Sequence, residues 1–91
     1  MKVYQSATDE YIEMDVIGRL RYLGSDVSGS LSDGHVYAIV GIESEWLRVV
    51  DNSGEDYLYS AKAPGDLYAN GIRGKWELLE DPSGRLKTLI K

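Results

Sequence analysis

The four residues Asp51-Asn52-Ser53-Gly54 constrain this chain more than any others in it. Asp and Asn side chains accept hydrogen bonds from amides two residues on, and Gly takes the positive φ that closes a tight reversal. On one side lies Trp46-Leu47-Arg48-Val49-Val50 and on the other Tyr57-Leu58-Tyr59, both rich in the β-branched and aromatic residues that strands favour. The spacing predicts a β-hairpin, and with it an antiparallel sheet.

The flanking sequence extends that reading. In Val16-Ile17-Gly18-Arg19-Leu20-Arg21-Tyr22-Leu23 the two arginines alternate with Leu20 and Tyr22, as on a strand with one wet face. Residues 24–34 are rich in Gly, Ser and Asp and read as a long loop. In His35–Glu43, Val36, Ala38, Val40 and Ile42 share one face, and Tyr37, Ile39 and Gly41 share the other. Both faces are apolar, so this segment is expected at the centre of a sheet. A tight link at Glu43-Ser44-Glu45 leads into the Trp46 strand. Residues 61–74 form a second loop carrying Pro64-Gly65, Asn70-Gly71 and Gly74. Lys75–Glu80 and Arg85–Ile90 read as two final strands joined by Asp81-Pro82-Ser83-Gly84, with a helical turn over residues 86–90 as the alternative. Residues 1–15 have no sustained period. Within them Glu10–Asp15 fits one helical turn or a short edge strand, and the extreme end is expected to fray.

Short strands with no long amphipathic stretch argue for an all-β fold. At 91 residues a two-sheet orthogonal barrel is the economical form, because closure hides strand edges. Residues 1–15 are then a partly ordered N-terminal extension and residues 16–91 the barrel domain.

Composition narrows the function classes. Hydrophobic residues make up 43% and charged residues 27%, as in folded chains, and cysteine is absent, which removes disulfides, thiol nucleophiles and thiolate metal sites. The N-terminal residues lack the apolar core of a signal peptide. The longest uncharged apolar run, Val36 to Ile42, falls well short of the roughly 20 residues of a membrane-spanning helix, so a cytoplasmic protein with no membrane contact is expected. Residues 1–45 hold three basic and eight acidic residues, residues 46–91 seven of each, and the net charge is −5. Such a surface repels phosphate backbones, which weighs against nucleic-acid binding despite a local basic group at Arg73, Lys75, Arg85 and Lys87.

Catalytic constellations are not evident. The one histidine, His35, follows the Asp33-Gly34 turn at a strand start and reads as solvated. Ser25, Ser28, Ser30 and Ser32 read as loop polarity, not as a strained nucleophile. The adjacent carboxylates Glu55 and Asp56 should point to opposite faces, and Glu43 and Glu45 are separated by a turn. The segment from Asp51 to Asp56 is dense in oxygen atoms, but its glycine comes fourth instead of sixth and strands flank it, unlike a helical calcium loop. No enzyme activity, cofactor or metal is expected.

The aromatics remain. Phenylalanine is absent, so Tyr and Trp must help fill the core, yet alternation cannot bury them all. Tyr37, Trp46, Tyr57, Tyr59 and Trp76 are therefore the candidate binding residues, with Trp46 at the centre of a patch for a protein partner. A small ligand or nucleic acid held by the 61–74 loop with Arg73 and Lys75 is the alternative.

The run from Trp46 to Ala61 resembles the tryptophan strand, distal hairpin and following strand of SH3-like barrels. The preceding strand at Arg19–Leu23, the long loop and the strand His35–Glu43 fit the same order. The segment is also similar to that of small bacterial proteins carrying Trp-Leu-Arg-Val-Val-Asp and Ser-Gly-Glu-Asp-Tyr-Leu-Tyr, a likeness that implies a fold and no activity. It implies an all-β, small SH3-like barrel of five to six short antiparallel strands. Peptide-binding members line a groove with aromatics that accept proline-rich helices. Here Trp46 matches that groove's tryptophan and Tyr22 is the one aromatic in Arg19-Leu20-Arg21-Tyr22-Leu23. Tyr59-Ser60-Ala61 departs from the pattern after the hairpin.

Overall fold

The computed structural model describes residues 1–65 and 74–91. Among them are seven strands and one short helix: β1 (Lys2–Gln5), β2 (Glu10–Glu13), β3 (Gly18–Leu23), β4 (Val36–Glu43), β5 (Trp46–Val50), β6 (Asp56–Ser60), β7 (Lys75–Glu80) and α1 (Arg85–Ile90). β1 and β2 form a hairpin, and the other five make one antiparallel sheet in the order β6-β5-β4-β3-β7.

The predicted hairpin is there. β5 and β6 pair from Trp46↔Ser60 to Val50↔Asp56. The Asp51 carboxylate accepts from the Ser53 amide at 2.9 Å, and Gly54 sits at φ +84°, where a β-carbon would be strained. β4 lies at the middle of the sheet, as its two apolar faces require. Leu20 and Tyr22 of β3 are fully buried, while Arg19 and Arg21 face out and pair with Glu80 and Glu77 of β7.

The inner face of the sheet carries the core: Leu20, Tyr22, Tyr37, Ile39, Leu47, Val49, Tyr59 and Trp76, with Leu31 from the long loop and Leu86 from α1. Aromatic edges replace the missing phenylalanine. Trp76 packs edge-on against Tyr22 and Tyr37, with ring centroids 5.8 and 6.3 Å apart. The long loop is pinned at two points. Val27 bridges Leu31, and the Tyr37 hydroxyl accepts from the Ser32 amide while donating to Asn52 Oδ1.

Three expectations change. Arg85–Ile90 is helical, because Asp81 caps it through the amides of Leu86 and Lys87 and Leu86 drops into the space beside Gly18, where a β-carbon would collide with it. Residues 1–15 form the ordered β1–β2 hairpin in place of a fraying end. Val3 is fully buried although it lies outside the main cluster, and Met1 lines a concavity with Arg19, Val36, Ala38 and Val50. Those residues alternate with the core positions, so the hairpin lies over the outer face of the sheet. The sheet itself is open: among the described residues no ladder joins β6 to β7, so the expected closure by backbone pairing is not made.

Candidate functional site

β5 presents three outward side chains, Trp46, Arg48 and Val50, in a stripe set by strand alternation. At one end Val50 lines a concavity with Met1 and stands opposite Asp56, which Gln5 of the N-terminal hairpin reaches. In the middle Arg48 passes over Gly41, where a β-carbon would make ordinary contact with its stem. At the other end Trp46 is 48% exposed.

Arg48 organises the charges along the stripe. Its Nε donates to Glu43 Oε2 at 2.8 Å, Nη2 bonds the same oxygen, and Nη1 donates to Asp56 Oδ2 at 2.9 Å. Asp56 is buried, and its other oxygen accepts from Gln5 Nε2 at 2.8 Å. Burial alone would push the Asp56 carboxyl up, but the hydrogen bonds from Gln5 and Arg48 outweigh it and hold the group below the ordinary carboxylate range. Hydrogen bonds from Arg48 to Glu43 and then to Asp56 raise the guanidinium further above its usual value. Glu55 accepts from the Ser6 amide at 2.7 Å, and that bond lowers its carboxyl too.

These bonds settle what the acidic pairs do. Glu55 and Asp56 diverge to different partners and anchor the N-terminal hairpin, with help from the Tyr4 amide on the Gly54 carbonyl. Glu43 is tied to Arg48, while Glu45 sits in the two-residue turn after β4, where Ser44 adopts φ +59°. Asp51 is buried beneath its own turn and accepts from Ser53 and from the Tyr59 hydroxyl at 2.6 Å. Burial, followed by that bond to Asp51, raises the Tyr59 phenol far above its normal value. His35 is exposed at the mouth of the strand, 6.5 Å from the Tyr37 ring between centroids. Among the described residues no three His, Asp or Glu side chains are grouped to hold a metal ion.

The five candidate aromatics divide instead of forming one patch. Tyr37, Tyr59 and Trp76 belong to the core. Their parity explains it: Tyr59 pairs with Leu47, Trp76 with Tyr22 and Tyr37 with Leu20, all inner-face positions. Trp46 and Tyr57 are each 48% exposed, but they stand on opposite faces of the hairpin, because Tyr57 is opposite the inward Val49. The hydrophobic neighbour that Trp46 does have is Leu58. Opposite Arg48, it is 38% exposed and lies on the outer face one diagonal step from Trp46. Leu58 is legible in the sequence as an outward position once the turn fixes the hairpin register, although it is not aromatic. Of the basic group, Lys75, Arg85 and Lys87 are exposed, and Arg73 with most of the 61–74 loop lies outside the described residues.

The edge of β6 turned away from β5, which pairs with no strand among the described residues, completes the site. The Asp51 amide donates to the Glu55 carbonyl and the Ala61 amide to the Glu45 carbonyl. In an antiparallel ladder the hydrogen-bonded pairs alternate, so residues 55, 57, 59 and 61 turn their backbone groups toward β5. Asp56, Leu58 and Ser60 therefore turn theirs outward. The Ser60 carbonyl is taken by the Trp76 indole N–H at 3.2 Å. A concavity of about 400 Å³ is bounded by Gly29 and Ser30 of the long loop, by Asp51 and Ser53 of the hairpin turn and by Tyr57, Leu58 and Tyr59. No helix among the described residues is long and apolar enough to cross a membrane. Comparison with known proteins finds no matching family model, curated protein or solved structure.

Proposed function

We propose that the chain is a non-catalytic, SH3-like module that binds another protein through the outer surface around Trp46. The observation that carries this reading is the half-exposed Trp46 beside half-exposed Leu58, at the one end of the β5 stripe that the N-terminal hairpin leaves bare. A tryptophan left wet in a chain that uses its other tryptophan as core suits a contact residue, since Trp is over-represented where binding energy concentrates. The SH3-like assignment is supported by a strand order that brackets a long first loop and places β7 beside β3. The Trp76–Ser60 bond supports it further, because it curls the two edges of the sheet toward each other.

Affinity capture with the full chain as bait tests the reading. Trp46→Ala keeps a cooperative unfolding transition and loses the partner that the parent chain retains, whereas Tyr11→Ala, at an exposed aromatic on the N-terminal hairpin, retains it. Capture that survives Trp46→Ala overturns the assignment. A titration against DNA and RNA at low salt, where phosphate contacts are strongest, should show no binding.

A further inference from the structure

We propose that the edge of β6 turned away from β5, unpaired among the described residues, accepts an extended, basic segment of a partner protein as a sixth strand of the sheet. This rests on the reading of the chain as an interaction module and names how the partner is held. Three observations point to it.

The first is the edge itself. Proteins commonly blunt an exposed strand edge with lysine, proline, a bulge or a covering helix. β7 carries such protection: Lys75 stands at its start, its pairing with β3 shifts register next to Leu20, and α1 packs on it. β6, Asp56-Tyr57-Leu58-Tyr59-Ser60, holds no lysine or proline and pairs with β5 without a shift. Among the described residues, the outward amide and carbonyl of Leu58 meet no partner.

The second is space. The concavity bounded by the long loop, by Asp51 and Ser53 of the turn and by Tyr57, Leu58 and Tyr59 reaches the middle of the strand at Leu58. The third is charge. Residues 43–60 hold five carboxylates against the single cation Arg48. Arg48 is taken up by Glu43 and Asp56 and Asp51 is buried, so Glu45 and Glu55 are the carboxylates that face solvent without a cation from this stretch. Glu55 at the start of the strand, Glu45 beside its far end and the chain's net charge of −5 favour lysine or arginine at alternate positions of an added strand. The same charge disfavours a second copy of this acidic chain, whose β6 would bring Asp56 and its neighbours against their own kind. Backbone bonds would supply affinity, and Leu58 on the outer face and Tyr57 on the inner would read alternate partner side chains.

Amide nuclear magnetic resonance of the full chain tests this with three eight-residue peptides: alternating Lys and Val, alternating Glu and Val, and the Lys–Val peptide N-methylated at every second residue. The Lys–Val peptide should shift the amides of Asp56, Leu58 and Ser60 and slow hydrogen exchange at Leu58 by tenfold or more at saturation. The Glu–Val peptide should not bind, and N-methylation should weaken binding about tenfold or more, the loss of one or two net hydrogen bonds. Leu58→Pro should abolish binding while the chain stays folded, because that nitrogen does not face β5. The methylated peptide keeps the test decisive if the variant unfolds. Equal binding by the methylated peptide, shifts confined to Trp46 and the long loop, or no binding at all each overturns strand addition. None of these touches partner capture through Trp46. Concentration-dependent protection of Leu58 without peptide would overturn it in favour of self-association.

Discussion

The indole N–H of Trp76 on β7 donates to the carbonyl of Ser60 on β6 at 3.2 Å, and so joins the two outermost strands of a five-stranded sheet that no ladder closes among the described residues. A buried aromatic thus does with one side chain what a barrel does with backbone pairing. Trp76→Phe keeps most of the apolar bulk against Tyr22 and Tyr37 but leaves the Ser60 carbonyl without its donor. It should lower unfolding free energy by about 1–2 kcal/mol. Trp76→Ala should cost about 3–5 kcal/mol through the cavity it opens. Urea titration of both variants measures the difference, and a Phe variant as stable as the parent would show that the bond contributes nothing.

The docking of the N-terminal hairpin depends on carboxylates held ionised. Asp56 and Glu55 both have folded-state values below their ordinary ones, 3.8 and 4.5. A depressed group contributes stability that is full above its unfolded value and lost as pH falls through its folded value. The hairpin should therefore hold above about pH 5 and loosen below about pH 4. The measurement is hydrogen exchange at Met14, whose amide bonds the Met1 carbonyl at 2.8 Å, as a function of pH. Asp56→Asn should flatten that dependence and destabilise the chain by about 1–3 kcal/mol, since its Arg48 and Gln5 bonds lose their charge. A pH profile unchanged by the substitution would assign the docking to Val3 instead.

Much of this sheet was readable because its information is local. The Asp51–Gly54 turn fixes the β5–β6 register, the alternation of Leu20 and Tyr22 with Arg19 and Arg21 fixes β3, and the two apolar faces of residues 36–42 put β4 at the centre. What escaped depends on distant partners. Glu10–Glu13 is exposed throughout and becomes a strand only because β1 pairs with it and Gln5 reaches Asp56, 51 positions on. Arg85–Ile90 carries β-compatible residues, but Leu86, Leu89 and Ile90 also recur at helical spacing, and Asp81 decides the matter by capping. For the aromatics, alternation shows which residues share a face and not which face is inside. The second fact comes from the β4 and β3 partners, so Tyr59 and Trp76 separate from Trp46 only once the whole sheet is assembled.

The same parity gives a contrast in stability. Trp46→Ala removes a side chain that is half in water and should cost about 1–2 kcal/mol, less than half the price of a buried aromatic. Its neighbour Leu47 is fully buried, and Leu47→Ala should cost about 2–5 kcal/mol. Thermal unfolding of the two variants decides it. Trp46→Ala proving the worse of the two would make Trp46 a structural residue and remove the basis for its role in binding.

Between β4 and β5 the chain reverses in two residues, and Ser44 takes φ +59° to do so. An L-residue with a β-carbon adopts that region at a cost of roughly 1–2 kcal/mol, while glycine adopts it freely. Glycine in turn loses more backbone freedom on folding, which offsets about 0.5–1 kcal/mol of the gain. Neither hydroxyl nor carbon of Ser44 is buried, so no packing is lost on substitution. Ser44→Gly should therefore stabilise the chain by up to about 1 kcal/mol, and Ser44→Val, β-branched at the same φ, should destabilise it by a similar amount. Because the turn sits next to Trp46, these variants also test whether the wet tryptophan needs a rigid approach. Partner capture should persist in Ser44→Gly, whose turn geometry is unchanged, and midpoints that fall in both variants would overturn the strain argument.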